Sequence, residues 1–219
     1  MDCGIKYNII RKLLNYNVRL KIVPWDYNFN LDIEKEDIAG LFISNGPGNP
    51  SYCDTTIENI SLFIANNTSN TSNIPIFAIC LGHQLLALAI GAHITKLKYG
   101  NRSLNQPRIN LITDICHITP QNHSYVVNEN TIPMGWKQLF YNANDNSNEG
   151  IIIHEKYPYL SVQFHPEAKG LMIPTIYFKP LFPMYRKNQW LMKCPNGYQK
   201  KTYHNIILLG SGGLTIGQA

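Results

Sequence analysis

The sequence predicts an α/β fold: a doubly wound, mostly parallel sheet with a nucleophile elbow, plus antiparallel ribbons. Three observations predict it. Strand and helix segments alternate through roughly the first ninety residues. The apolar run PIFAI (75–79) leads directly into a cysteine and then a helix. Beyond that helix the segments are nearly all strands, as expected of ribbons added to a parallel sheet.

The elements follow in order. Residues 5–15 (IKYNIIRKLLN) set Ile5, Ile9 and Leu13 on one face, with Ile10 and Leu14 beside it, an amphipathic helix. VRLKIV (18–23) alternates as a strand does and is stopped by Pro24. GLFIS (40–44) is an apolar strand that runs into the Gly-Pro turn NGPGNP (45–50), and a helix is expected over 56–66. PIFAI has the unbroken apolar character of a strand buried on both faces. HQLLALAI (83–90) is a helix ended by Gly91. Further strands are expected near 93–98, 108–112, 115–119, 124–127, 150–154 and 159–164. In sheets of this kind, function sits at the carboxyl ends of the strands.

Bulk properties bound the function. The chain has 219 residues, of which 44% are hydrophobic, enough for one domain with a sizeable core. The net charge is +5, but Lys and Arg are scattered until the cluster Arg186, Lys187, Lys193, Lys200 and Lys201. No basic stripe interleaves with aromatics, so nucleic acid is not an expected partner. Neither a signal peptide nor an apolar run of membrane length is present, and no membrane partner is expected. The five cysteines have no CxxC spacing, which argues against a disulfide framework or a zinc site and for a reducing cytoplasm.

Three segments carry chemistry. In PIFAICLGHQ (75–84) a strand-to-helix elbow lifts Cys80 out at the top of the sheet, where the helix N-terminus favours the reactive thiolate. Gly82 keeps the turn tight, and the N–H of Leu81 points where an oxyanion would form. Read alone, a cysteine after an apolar strand is as often a buried structural residue. In SVQFHPEA (161–168), His165 and Glu167 stand two apart in extended chain and face one side. Glu167 can then hold the ring of His165 while its other nitrogen faces Cys80. Read alone, this is an ordinary surface pair at a strand end. In SNGPGNP (44–50), glycines flank a proline and expose backbone N–H groups that could complete an oxyanion hole; as a lone turn the signal is weak.

Their order and combination are more specific. NGPG, then CLGHQ, then QNH, then FHPE resembles the class I, triad glutamine amidotransferases. More narrowly, the chain is similar to the glutaminase domain of a fused, eukaryotic-type carbamoyl-phosphate synthetase. Supporting stretches include DCGIKYNIIRKL (2–13), VPWD (23–26), CLGHQLLALAIGA (80–92), ITPQNHSYVV (118–127) and WKQLFYNANDNSNEGII (136–152), and together they cover most of 2–168. The resemblance implies that Cys80 attacks the glutamine amide to form a thioester. It implies that His165 protonates the departing ammonia and then activates water, with Glu167 orienting it. It places backbone groups of Gly46, Gly48 and Leu81 around the amide carbonyl. It places Gln84, Asn122, Ser124 and Tyr125 on the amino-acid part of glutamine. No cofactor or metal is implied for this step; ATP and Mg²⁺ belong to a synthetase part that receives the ammonia and makes carbamoyl phosphate for pyrimidine or arginine synthesis.

The same resemblance divides the chain into an amidotransferase domain at 1–178, a linker at 179–203 and the opening of the synthetase region at 204–219. The ends read as cut from something longer. DCG resembles the end of a strand with nothing before it, and NIILLGSGGLTIGQA is a strand and glycine loop with no helix after it. A missing central strand would cost several buried aliphatic side chains at roughly 1.5–3 kcal/mol each, against a domain's whole stability of about 5–15 kcal/mol. The pattern also departs from the family. Ser124 stands where Gly is usual in QNHG and brings a side chain toward the pocket. Ser103 and Leu104 replace Gly-His, Ala78 replaces a Gly, and KGLMIPTIYF lacks an Asp. Two other readings are therefore carried: a catalytically impaired binding or regulatory scaffold, and a general cysteine hydrolase using the same elbow.

Overall fold

The computed structural model describes residues 4–16, 18–33, 35–69, 74–153, 157–168 and 206–209. The chain begins with helix α1 (Tyr7–Leu14), strand β1 (Leu20–Val23), a single helical turn α2 (Asn30–Ile33) and strand β2 (Gly40–Ile43). Helix α3 (Asp54–Ser69), strand β3 (Ile76–Ile79) and helix α4 (Leu81–Ala89) follow. Then come β4 (Ile94–Asn110), β5 (Cys116–Val127), β6 (Trp136–Asn142), β7 (Asn148–Ile153), β8 (Tyr159–Val162) and β9 (Ile206–Leu209).

These strands form one sheet in the order β1-β9-β2-β3-β8-β7-β6-β4-β5. The half from β1 to β8 is parallel, and β7, β6, β4 and β5 add to it antiparallel. Alternation along each parallel strand feeds two cores. Phe42, Phe77 and Ile79 pack toward α1 with Ile9 and Leu13. Leu41, Ile43, Ile76 and Ala78 pack toward α3 and α4 with Ile60, Phe63, Leu85 and Leu86. Burial on both faces explains why these strands read as continuous apolar runs. α1 is helical because its apolar positions recur every three to four residues and bury Ile9 and Leu13 against the sheet.

One difference from the sequence reading matters. The strands expected at 93–98 and 108–112 are one continuous strand, β4, and those at 115–119 and 124–127 are one strand, β5. Polar and glycine residues inside them read as breaks, but irregularities in register between Lys96 and Asn101 and between Ser103 and Gln106 absorb them within a single ribbon. Of the region 204–219, the described residues are 206–209. Its Ile206–Leu209 is a strand of this same sheet, parallel to both β1 and β2. It lies between them and pairs with the backbone ladders on both sides. The linker at 179–203 and the glycine loop after Leu209 lie outside the described residues. Among the described residues no helix is long and apolar enough to cross a membrane.

Candidate active site

β3 ends at Ile79, α4 begins at Leu81, and Cys80 is the single residue between them. Its backbone takes φ 54° and ψ −107°, a region that costs a non-glycine residue about 1–3 kcal/mol. Surrounding structure must hold it there. The amide of Cys80 donates to the carbonyl of Val162 on β8 at 2.8 Å, and its carbonyl accepts from the amide of Gln84 at 3.2 Å. Gly82 completes the elbow by close approach. A Cβ at that position would lie 2.3 Å from the carbonyl oxygen of Ile43 and 2.9 Å from that of Ser44. The absent side chain therefore lets α4 dock on the end of β2, just where the NGPG loop begins. The first N–H groups of α4, including that of Leu81, have no acceptor within the helix, and the helix starts at the residue after Cys80.

β8 is the strand next to β3, so the segment after it, residues 163–168, emerges beside Cys80. His165 is buried, and its amide donates to the carbonyl of Pro120 at 3.0 Å, which ties the segment to β5. Nδ1 of His165 lies 2.7 Å from Oε1 of Glu167. The Cys80 thiol is a further side-chain partner of the ring. Burial opposes charge on His165, but the Glu167 carboxylate and Cys80 outweigh it and raise the ring's pKa to about 9. Burial likewise disfavours the Glu167 carboxylate, yet His165 and Lys6 bring it down to about 2. The buried pair is held as an imidazolium beside a carboxylate.

The other expected positions are placed as follows. Asn122 brings its carbonyl to 3.9 Å from the Cys80 sulfur. Gln84 donates from Nε2 to the carbonyl of Tyr125 at 2.8 Å and to Oε1 of Gln163 at 2.9 Å. The hydroxyl of Ser124 accepts from Nη2 of Arg102 at 2.6 Å, so the side chain that replaces glycine is drawn toward β4. Gly46 is half-buried and Gly48 exposed. Gly48 has φ 99°, a left-handed conformation that favours glycine. Their loop is anchored by Asn45, whose Oδ1 accepts from the amide of Lys6 at 3.3 Å and whose Nδ2 donates to the carbonyl of Gly4 at 3.2 Å.

Sequence reasoning missed one layer of the site. α1 was read only as an amphipathic helix, yet its polar side clamps the His-Pro-Glu segment. Lys6 places Nζ 3.3 Å from Oε1 of Glu167 and 3.2 Å from Nδ1 of His165. Asn8 donates to the carbonyl of Glu167, and Lys12 donates to that of Pro166 at 3.0 Å. The available signal was the polar set Lys6, Asn8 and Lys12 on the helix that opens the chain. Among the described residues no group of His, Cys, Asp or Glu has the geometry to hold a metal ion.

This fold and this constellation define a class, and comparison with known proteins agrees. The model of the glutamine amidotransferase class-I family matches residues 1–179, and the chain belongs to that family. Within it, the chain is 46% identical over its whole length to the multifunctional protein pyr1-3 of Dictyostelium discoideum, of which it spans 10%. It is 43% identical over its whole length to the multifunctional protein URA2 of Saccharomyces cerevisiae, again spanning 10%. Against the arginine-specific small chain of carbamoyl phosphate synthase from Candida albicans the identity is 47%, over 95% of this chain and 46% of that one. A solved structure from Thermoplasma acidophilum, described as a candidate GMP synthase subunit, superposes over 83% of this chain and 89% of that one. Its TM-score is 0.66 and its identity 22%, a likeness of fold alone.

Proposed function

We propose that this chain hydrolyses the side-chain amide of glutamine and supplies the ammonia to a carbamoyl-phosphate synthetase part. The observation that carries the reading is the meeting of three side chains at the carboxyl edge of β3 and β8. Cys80 sits in a strained elbow, His165 lies against it, and Glu167 holds the far side of the ring at 2.7 Å. The similarity to carbamoyl phosphate synthase chains and to multifunctional pyrimidine proteins supports the choice of acceptor.

The steps follow from the geometry. The Cys80 thiolate attacks the amide carbon, and the carbonyl π electrons move to oxygen. The N–H of Leu81 and the backbone of Gly46 and Gly48 stabilise that oxyanion. His165 gives its proton to the amide nitrogen, the C–N bond breaks, and ammonia leaves a thioester on Cys80. Water, deprotonated by His165, then attacks the thioester; glutamate departs and the thiolate–imidazolium pair is restored. Gln84, Asn122, Ser124 and Tyr125 hold the amino-acid end of the substrate. The chemistry draws on side chains, backbone N–H groups and water. The acceptor reaction, with ATP and Mg²⁺, belongs to the synthetase part, and the cytoplasm is its expected place.

The test is mass spectrometry after exposure to a chloroketone analogue of glutamine, with Cys80→Ser as control. One adduct on Cys80, suppressed by glutamine, is the expected result. A folded protein that takes no adduct would favour the scaffold reading; an adduct that glutamine does not suppress would favour a general cysteine hydrolase.

A further inference from the structure

Opposite β5, the β4 strand carries an irregularity that the proposed reaction does not use. Lys96 pairs with Tyr125 and Asn101 with His123, so residues 97–100 face the single residue Ser124. Extra residues in one strand bend it and re-aim the side chains beside it. Here Arg102 folds back over its own strand, and Gly100 makes room for it. A Cβ at Gly100 would lie 2.7 Å from Nη1 and 2.9 Å from Cζ of Arg102, and 2.7 Å from the carbonyl oxygen of His123. The missing side chain lets the guanidinium lie against β4 and lets β4 approach β5 beside Ser124. Asn101, between the two, donates from Nδ2 to Oδ2 of Asp145 at 3.2 Å. Asp145 is itself held, its Oδ1 accepting from the amide of Ser147 at 2.9 Å and from its hydroxyl at 2.6 Å. The irregularity is thereby pinned to the β6–β7 turn.

From this position Nη2 of Arg102 donates to the hydroxyl of Ser124 at 2.6 Å. Where Ser124 stands gives that bond its consequence. Ser124 and Asn122 are half-buried, while Gln121 and His123, which alternate with them along β5, are buried. On either side of Ser124 the strand meets the elbow. The carbonyl of Asn122 is 3.9 Å from the Cys80 sulfur, and that of Tyr125 accepts from Nε2 of Gln84 on α4 at 2.8 Å. A serine hydroxyl has three staggered positions, and the one taken here is turned to β4. A hydrogen bond from a charged donor is among the stronger ones, so it favours this position over the other two.

We propose that Arg102 is a positioning residue that holds the Ser124 hydroxyl against β4 and so keeps the amino-acid end of the glutamine pocket open despite the side chain at 124. The role rests on the glutaminase reading above, because it is that reading which sets Ser124 at the pocket. It accounts for a serine where the family pattern has glycine: the guanidinium that fills the space beside Gly100 takes up the hydroxyl. Arg102 acts through Ser124 and touches no reacting atom. Its effect therefore falls on binding of the substrate rather than on the attack by Cys80.

The experiment measures the rate of Cys80 labelling against the concentration of the chloroketone analogue, on the whole chain. It compares wild type, Arg102→Met, Ser124→Gly and the double variant. Arg102→Met keeps an apolar stem and removes every donor, and because Arg102 is exposed the core is untouched. With Ser124 present, Arg102→Met is expected to raise the concentration for half-maximal labelling about tenfold, with a smaller change in the maximal rate. In the Ser124→Gly background the same substitution is expected to change it less than about twofold relative to Ser124→Gly itself, since no hydroxyl is left to hold. A general loss of stability, or of charge near the pocket, would not depend on the residue at 124. A labelled wild type that Arg102→Met leaves unchanged overturns this proposal alone. So does an equal rise in both backgrounds, which would make Arg102 a direct contact of the substrate or a support of the ribbon, and so does an effect confined to the maximal rate. An unlabelled wild type overturns the glutaminase reading, and the role of Arg102 with it.

Discussion

In the proposed reaction His165 serves Cys80 while charged, because an imidazolium would both stabilise a thiolate and carry the proton that departing ammonia needs. A buried imidazole would ordinarily be neutral. Here burial is outweighed by Glu167 and Cys80, so the ring keeps its proton up to about pH 9. Replacing Glu167 by Gln keeps the shape and removes the charge. The folded pKa of His165 then falls, since burial is left to dominate. The imidazolium form is lost on the acid side of its present limit, and Cys80 labelling at pH 7 should drop at least about tenfold. A pH profile of labelling checks it, and a Glu167→Gln profile that coincides with wild type would refute the role given to that carboxylate. Lys6 sits on the same carboxylate. This contact was invisible in sequence because it joins residues 161 positions apart.

Elements are placed by close approach as much as by pattern. α4 follows from its apolar run, but its position follows from Gly82, where the backbone of β2 occupies the space of a side chain. Gly82→Ala must push α4 away from Ile43 and Ser44. Overpacking of this kind costs about 1–3 kcal/mol, and because Cys80 is the residue before α4 the strain reaches the nucleophile. The expected outcome is a lower Tm together with slower labelling of Cys80; unchanged values for both would mean that the docking of α4 is soft. The elbow itself was legible, since a buried strand followed at once by Cys-Leu-Gly leaves few alternatives. The length of β4 and β5 was not, because Gly100, Ser103 and Pro107 mark breaks locally and only pairing across the ribbon overrides them.

At the scale of the molecule, the parallel half of the sheet depends on β9. It pairs with β1 and with β2 through four residues on each side. Without it, both neighbours would carry open backbone groups facing an apolar interior. Lost net hydrogen bonds at about 1 kcal/mol each then become comparable to a domain's stability of roughly 5–15 kcal/mol. Ending the chain at residue 203 should lower Tm by several degrees or leave a protein that does not melt cooperatively. A shortened chain that melts like the whole one would show that β9 contributes little to the fold.

The sequence by itself determined the α/β class, the elbow at Cys80, the pairing of His165 with Glu167 and the family, because each rests on local periodicity or on short runs of neighbouring residues. The tertiary structure alone decided three things. Ile206–Leu209 lies between β1 and β2, the polar side of α1 clamps the His-Pro-Glu segment, and Ser124 is drawn to Arg102. All three are contacts between segments far apart in the chain. No local pattern specifies them, since they arise only when the closing of the sheet brings strand ends together and excludes water from what lies between.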